Sequence, residues 1–112
     1  MVIAVDFDGT IVEHRYPEIG REFSDAIDTL KFLQQLGHKI IIWTCRGEES
    51  IIPVKIWFKE RDFIPDAINR NIDTIYNGPP KIYADIYVDD RSFPPFRQEW
   101  RDLINMVLSR SK

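Results

Sequence analysis

The sequence alternates short apolar runs with segments that have helical periodicity. Three runs rich in valine and isoleucine cover residues 2–5, 39–44 and 82–88, and residues 66–70 form a shorter candidate. Runs of this kind predict fully buried strands. Helices are predicted within residues 24–36, 50–61 and 95–108, where apolar side chains recur on one face. Strands that alternate with helices predict an α/β fold with a small central parallel sheet and helices on both faces.

The composition limits what kind of protein this is. A chain of 112 residues suits a single domain, which we expect to span 1–112. The net charge of −3 argues weakly against a broad nucleic-acid-binding surface. The single cysteine excludes an intrachain disulfide, and neither a signal peptide nor an apolar run long enough to span a membrane is recognisable. These features predict a cytoplasmic protein without a membrane partner.

Polar side chains follow each of the three long apolar runs. The first run is followed by Asp6, Asp8, Gly9 and Thr10, the second by Thr44, Cys45 and Arg46, and the third by Asp89, Asp90 and Arg91. Lys81 comes just before the third run. Because ligands of open parallel sheets bind beyond the carboxyl ends of the strands, we expect these residues to border one site.

The residue types at this edge favour a phosphate ester and a divalent cation. Clustered carboxylates such as Asp6 and Asp89 repel one another, and Mg²⁺ relieves that repulsion because it prefers oxygen ligands. Gly9 allows a sharp turn next to a ligand. Thr44 and Lys81 add a hydroxyl and a cation, which suit the oxygens of a phosphate monoester.

Four motifs in this order resemble the haloacid dehalogenase superfamily of phosphatases that use an aspartate nucleophile. The motifs are "DFDGT", "WTCR", Lys81 and "VDDR", and they span residues 6–91. The resemblance implies a Rossmann-like three-layer sandwich and a Mg²⁺-dependent hydrolase of phosphoric monoesters. It implies that Asp6 is the nucleophile, that Asp8 is the general acid and base, and that Thr44 and Lys81 bind the phosphate. It also implies that Asp6, the backbone carbonyl of Asp8, Asp89 and Asp90 hold the metal, with Asp90 acting directly or through water.

The spacing of the motifs leaves no room for the cap domain that many members of the superfamily carry. Residues 11–23 offer only a small surface excursion, so the chain resembles the capless subgroup. We expect a phosphorylated small molecule as substrate, with specificity set by residues 11–23 and 71–80. A phosphorylated nucleic-acid end is the alternative, and a homo-oligomer in which a neighbouring subunit covers the site is left open.

Other interpretations remain for the motifs and for single residues. A phospho-acceptor signalling module or a binding module without catalysis would use the same fold, although the early Asp-x-Asp and the late Asp pair favour the hydrolase. Arg46 either holds substrate or pairs with a local acid. Strand alternation predicts that Cys45 is a small buried residue.

Overall fold

A computed structural model describes residues 1–72 and 81–110 of the chain. Within these residues, four parallel strands form one sheet in the order β3-β2-β1-β4. The strands are β1 Val2–Val5, β2 Lys39–Ile42, β3 Ala67–Ile68 and β4 Ile86–Val88, and the helices are α1 Ala26–Gln35, α2 Ile52–Glu60 and α3 Trp100–Arg110. The predicted α/β fold, a small Rossmann-like sandwich, is confirmed.

The register of the sheet brings the three long strands to an end at the same level. Val5 of β1 pairs with Ile42 of β2 and with Val88 of β4. The next amides continue the ladder, because Asp6 N–H donates to the Val88 carbonyl at 3.0 Å and Trp43 N–H donates to the Val5 carbonyl at 2.9 Å. The polar residues that follow these strands therefore emerge along one edge of the sheet.

The large core lies on one face of the sheet. Side chains of β1, β2 and β4 on this face join side chains from all three helices, including Leu30, Phe58 and Trp100. Strands β1, β2 and β3 step across the sheet in one direction, so right-handed crossovers place α1 and α2 on the same side.

The second face differs from the prediction of helices on both faces. Its smaller core contains Ala4, Ile41, Ala67 and Ile82, with Ala84 packed against it. In the described part of the chain no helix joins β3 to β4, and Ile82 and Ala84, which lie shortly before β4, pack on this face. Residues 73–80, which belong to the predicted specificity segment 71–80, lie outside the described residues.

The surface excursion at residues 11–23 forms a small hairpin. Val12 and Glu22 form an antiparallel bridge, and Glu13 N–H donates to the Arg21 carbonyl at 2.8 Å. The Glu22 carboxylate then accepts a hydrogen bond from Ile27 N–H at 3.1 Å, in the first turn of α1. The hairpin is thus tied to the helix that follows it.

No helix in residues 1–72 and 81–110 is long and apolar enough to cross a membrane.

Candidate functional site

Three carboxylates meet at the carboxyl edge of the sheet. Asp6 follows β1, and Asp89 and Asp90 follow β4. One oxygen from each of the three side chains lies within 4.8 Å of the others, and all three residues are partly buried. The structure therefore brings together the three aspartates that the sequence assigned to one metal site.

The turn after Asp6 is built around Gly9. Ile11 N–H donates to the Phe7 carbonyl at 2.9 Å, and Gly9 has a φ of +90°, which L-residues rarely adopt. A Cβ atom at Gly9 would lie 2.5 Å from Asp90 Oδ2. Only glycine allows the backbone to pass this close to the carboxylate, which explains why the "DFDGT" motif needs it.

Thr10 links two of the carboxylates, and the sequence reasoning gave it no role. Its buried hydroxyl lies 3.2 Å from both Asp6 Oδ2 and Asp90 Oδ1, and it accepts a hydrogen bond from Asp90 N–H at 3.1 Å. One hydroxyl has one proton, so it donates to one carboxylate at a time. The signal for this residue was its place in the motif, directly after the glycine.

The surroundings of Asp6 disfavour its charged form. Burial, the negative charge of Asp89 and a hydrogen bond with Asp90 raise the pKa of Asp6 to about 7, although Thr10 and the Phe7 backbone oppose the shift. A divalent cation among these oxygens would remove that conflict. The donor set contains only oxygen atoms, which fits Mg²⁺.

Asp8 does not belong to the group of three carboxylates and pairs with Arg46. Arg46 Nε donates to Asp8 Oδ2 and Nη2 donates to Asp8 Oδ1, both at 2.8 Å. The side chain of Arg46 is 1% exposed and that of Asp8 is 12% exposed. Of the two roles left open for Arg46, the pairing with a local acid is the one the structure contains.

Thr44 lies at the same edge, beyond the end of β2. Its backbone N–H donates to Asn69 Oδ1 at 2.8 Å, and its hydroxyl accepts a hydrogen bond from Arg46 N–H at 3.2 Å. Asn69, which follows β3, therefore holds the chain that carries Thr44.

A cavity of about 420 Å³ opens at this edge. It is lined by Asp6, Asp8, His14, Tyr16, Thr44, Cys45, Arg46, Asp89 and Arg91. Five of the predicted site residues therefore line this cavity: Asp6, Asp8, Thr44, Arg46 and Asp89. His14 and Tyr16 were not assigned to the site from the sequence, and Arg91 was expected at this edge without a role of its own. The prediction that Cys45 is buried is wrong, because its side chain is exposed at the cavity wall.

Two predicted site residues, Asp90 and Lys81, do not line this cavity, but Asp90 belongs to the carboxylate group beside it and Lys81 does not. Lys81 is exposed, and its Nζ lies 5.9 Å from the centre of the Tyr87 ring. The prediction assumed that a strand starts at Ile82, whereas β4 starts at Ile86. Lys81 is consequently separated from the strand by four residues, and none of its contacts with residues 1–72 and 82–110 supports its assigned role.

A second cavity of about 400 Å³ lies beside α2 and β3. Its lining includes Lys55, Lys59 and Arg70 over an apolar floor, and it contains no carboxylate. The clustered carboxylates are therefore a feature of the cavity at the carboxyl edge and not of this second cavity.

Comparison with known proteins identifies a relative. No protein-family model and no curated protein matches the sequence. The structure of a conserved protein from Bacteroides thetaiotaomicron matches with a TM-score of 0.91 and 39% sequence identity, over 98% of this chain and 91% of that chain. The chain belongs to the same family as that protein. The likeness extends over almost the whole of both chains, and it confirms the fold.

Proposed function

We propose that this protein is a Mg²⁺-dependent hydrolase of phosphate monoesters, of the capless haloacid dehalogenase type. The observation that carries the proposal is the partly buried group of Asp6, Asp89 and Asp90 at the carboxyl edge of a parallel sheet, where Asp6 and Asp89 line an open cavity. Carboxylates held so close together repel one another, and such an arrangement marks a candidate functional site.

Asp6 is the proposed nucleophile. One of its carboxylate oxygens attacks phosphorus, the bond from phosphorus to the ester oxygen breaks, and an aspartyl-phosphate forms. Water then attacks the same phosphorus, which releases inorganic phosphate and restores the carboxylate. Splitting one displacement into two steps is the advantage of a covalent intermediate. Bound Mg²⁺ would neutralise negative charge on the phosphoryl group and on the carboxylates.

Asp8 is the proposed general acid and base. It lines the cavity with Asp6, and the two residues are separated in sequence only by Phe7, which is buried. In the first step Asp8 gives its proton to the ester oxygen that leaves. In the second step it accepts a proton from the attacking water.

The phosphate needs partners other than the carboxylates. Thr44 lines the cavity and offers a hydroxyl, as predicted. Arg91 also lines the cavity, and its side chain is exposed there. All five guanidinium N–H groups of Arg46 have protein acceptors, so we assign the phosphate-binding cation to Arg91.

The dimensions of the site favour a small substrate. The hairpin at residues 11–23 contributes His14 and Tyr16 to one wall, and the cavity of about 420 Å³ suits a small phosphorylated molecule. Phosphorylated oligonucleotides belong in the same substrate panel, because an open site admits a strand end as well.

The test is hydrolysis of an aryl phosphate by the purified protein. We expect activity with Mg²⁺, loss of activity in excess EDTA, and loss of activity in Asp6→Asn. The matched control is Asp28→Asn, since Asp28 is exposed in the first turn of α1 and outside the cavity. Activity that persists in EDTA or in Asp6→Asn would contradict the proposal, as would inactivity of the parent on every phosphate monoester in the panel.

A further inference from the structure

Arg46 is a fully buried cation whose hydrogen-bonding capacity is used up inside the protein. An arginine side chain has five N–H groups. Here Nε donates to Asp8 Oδ2, Nη2 donates to Asp8 Oδ1 and to the Glu18 carbonyl at 2.9 Å, and Nη1 donates to the carbonyls of Pro17 and Ser50, each at 3.1 Å. The side chain is 1% exposed.

These acceptors belong to three separate parts of the chain. Asp8 lies in the turn after β1, Pro17 and Glu18 lie at the tip of the hairpin, and Ser50 precedes α2. The guanidinium carbon also lies 5.0 Å from the centre of the Tyr16 ring. Arg46 is therefore the point at which the cavity wall formed by the hairpin is attached to Asp8.

The pairing also limits the orientation of the Asp8 carboxylate. A carboxylate has about four lone-pair sites, and the two guanidinium bonds occupy one on each oxygen. A two-point contact between planar groups fixes rotation about the last bond of the side chain, whereas a single contact does not. The remaining lone pairs then keep one direction relative to the cavity.

We propose that Arg46 is a positioning residue that holds the Asp8 carboxylate and the tip of the hairpin in one fixed arrangement beside the phosphate. It touches no substrate, and it acts on turnover only through Asp8 and through the hairpin wall. The effect on turnover rests on the proposed function, whereas the attachment of the hairpin does not.

Lysine cannot replace arginine in this role. Its ammonium is a compact charge with three donors, so it keeps the positive charge but cannot reproduce the planar two-point contact and the three carbonyl contacts together. Arg46→Lys thus separates positioning from charge. Arg101→Lys is the matched control, because Arg101 also pairs with an aspartate, Asp25, which lies outside both the hairpin and the cavity.

The first experiment measures the first turnover of a series of aryl phosphates by rapid quench. We expect Arg46→Lys to lose activity most for poor leaving groups, up to the ~10²–10⁴-fold typical of general acid–base catalysis. In the Asp8→Asn background the same substitution should change the rate by less than about threefold, because groups that act as one unit are not additive. Equal losses in both backgrounds would overturn the proposal.

The second experiment does not depend on phosphatase activity. Trypsin cleavage after Arg15 and Arg21, both exposed in the hairpin, is followed by mass spectrometry. We expect cleavage to accelerate about tenfold or more in Arg46→Lys, since losing one hydrogen bond to a charged group corresponds to at least this factor. Arg101→Lys should match the parent at both sites. Unchanged cleavage in Arg46→Lys would overturn the attachment, even if the parent proves not to be a phosphatase.

Asp8→Asn serves as the second variant if Arg46→Lys does not fold. Asparagine accepts at one atom and donates at the other, so it loses half of the two-point contact. Cleavage in the hairpin should then rise while the unfolding transition stays cooperative. A hairpin as resistant as that of the parent would overturn the proposal by itself.

Discussion

Replacing Gly9 with alanine tests the close approach between the "DFDGT" turn and the three clustered carboxylates. The added Cβ would lie 2.5 Å from Asp90 Oδ2 and 3.0 Å from Asp90 Cγ, so the Asp90 carboxylate must move. The backbone adds a second cost, because φ at this position is +90°. Gly9→Ala should therefore disturb both the fold and the group of Asp6, Asp89 and Asp90.

Gly37 provides a control that isolates the backbone cost. Its φ is +95°, and a Cβ there would meet no atom of the described structure within 4 Å. We expect Gly37→Ala to lower the free energy of unfolding by about 1–2 kcal/mol, the cost of a left-handed conformation for an L-residue. Gly9→Ala should lower it by a further ~1–3 kcal/mol, the usual cost of an overpacked site.

The assay combines urea unfolding in EDTA with calorimetric titration of Mg²⁺. Only Gly9→Ala should weaken Mg²⁺ binding, because only this substitution displaces a carboxylate of the group. Equal unfolding free energies for the two variants, together with Mg²⁺ affinity at the parental value in Gly9→Ala, would refute the reasoning.

Three further predictions concern single residues of the site. Because the folded protein holds the pKa of Asp6 at about 7 against 3.8 in the unfolded chain, its contribution to stability is complete below pH 4 and is lost as the pH rises through 7. In EDTA, the free energy of unfolding should therefore fall by about 1–2 kcal/mol from pH 5 to 8, after allowance for solvent screening. If the free energy of unfolding of Asp6→Asn falls equally over the same pH range, this prediction is contradicted. Asp8→Asn should lose ~10²–10⁴-fold in the first turnover of poor leaving groups and much less with good ones, and a uniform loss across aryl phosphates would remove the acid role. Arg91→Gln should raise KM about tenfold or more with little change in kcat, because a charge-assisted contact to the substrate is lost. The control is Arg110→Gln, at the end of α3, which should match the parent. Equal KM values for Arg91→Gln and the parent would exclude Arg91 as the phosphate-binding cation.

The positions of the aspartates could be predicted because they depend on the strand ends alone. A buried apolar run identifies a central strand, and the residue after it lies at the carboxyl edge wherever the strand is placed in the sheet. Asp6 and Asp89 follow β1 and β4 directly, so the structure brings them together. Two predictions were wrong, namely that a strand starts directly after Lys81 and that Cys45 is buried. Both depended on details beyond the strand ends.

Lys81 and Cys45 show what those details are. Residues 82–85 read as strand because they are largely apolar, but the Tyr87 hydroxyl donates to the Ile82 carbonyl at 2.6 Å and the Asp85 carboxylate accepts from Val2 N–H at 2.7 Å. These side-chain contacts hold the segment outside the sheet. Alternation failed for Cys45 because β2 ends at Ile42, so the pattern does not extend to that residue.

The partner of Arg46 was beyond the reach of the sequence. Asp8 is 38 positions away, and the carbonyls of Pro17 and Glu18 carry no sequence signal, because every residue has a carbonyl. The predictions of a phosphorylated small molecule as substrate, of cytoplasmic location and of a homo-oligomer stay predictions.

Trapping the covalent intermediate is the most direct test of the central claim. The protein is mixed with an aryl phosphate and Mg²⁺, quenched in acid during turnover and reduced with borohydride, which converts an aspartyl-phosphate into homoserine. We expect homoserine at Asp6, in larger amount in Asp8→Asn because the second step lacks its base. Homoserine at another aspartate, or its absence at Asp6 while phosphate is being released, would contradict the account.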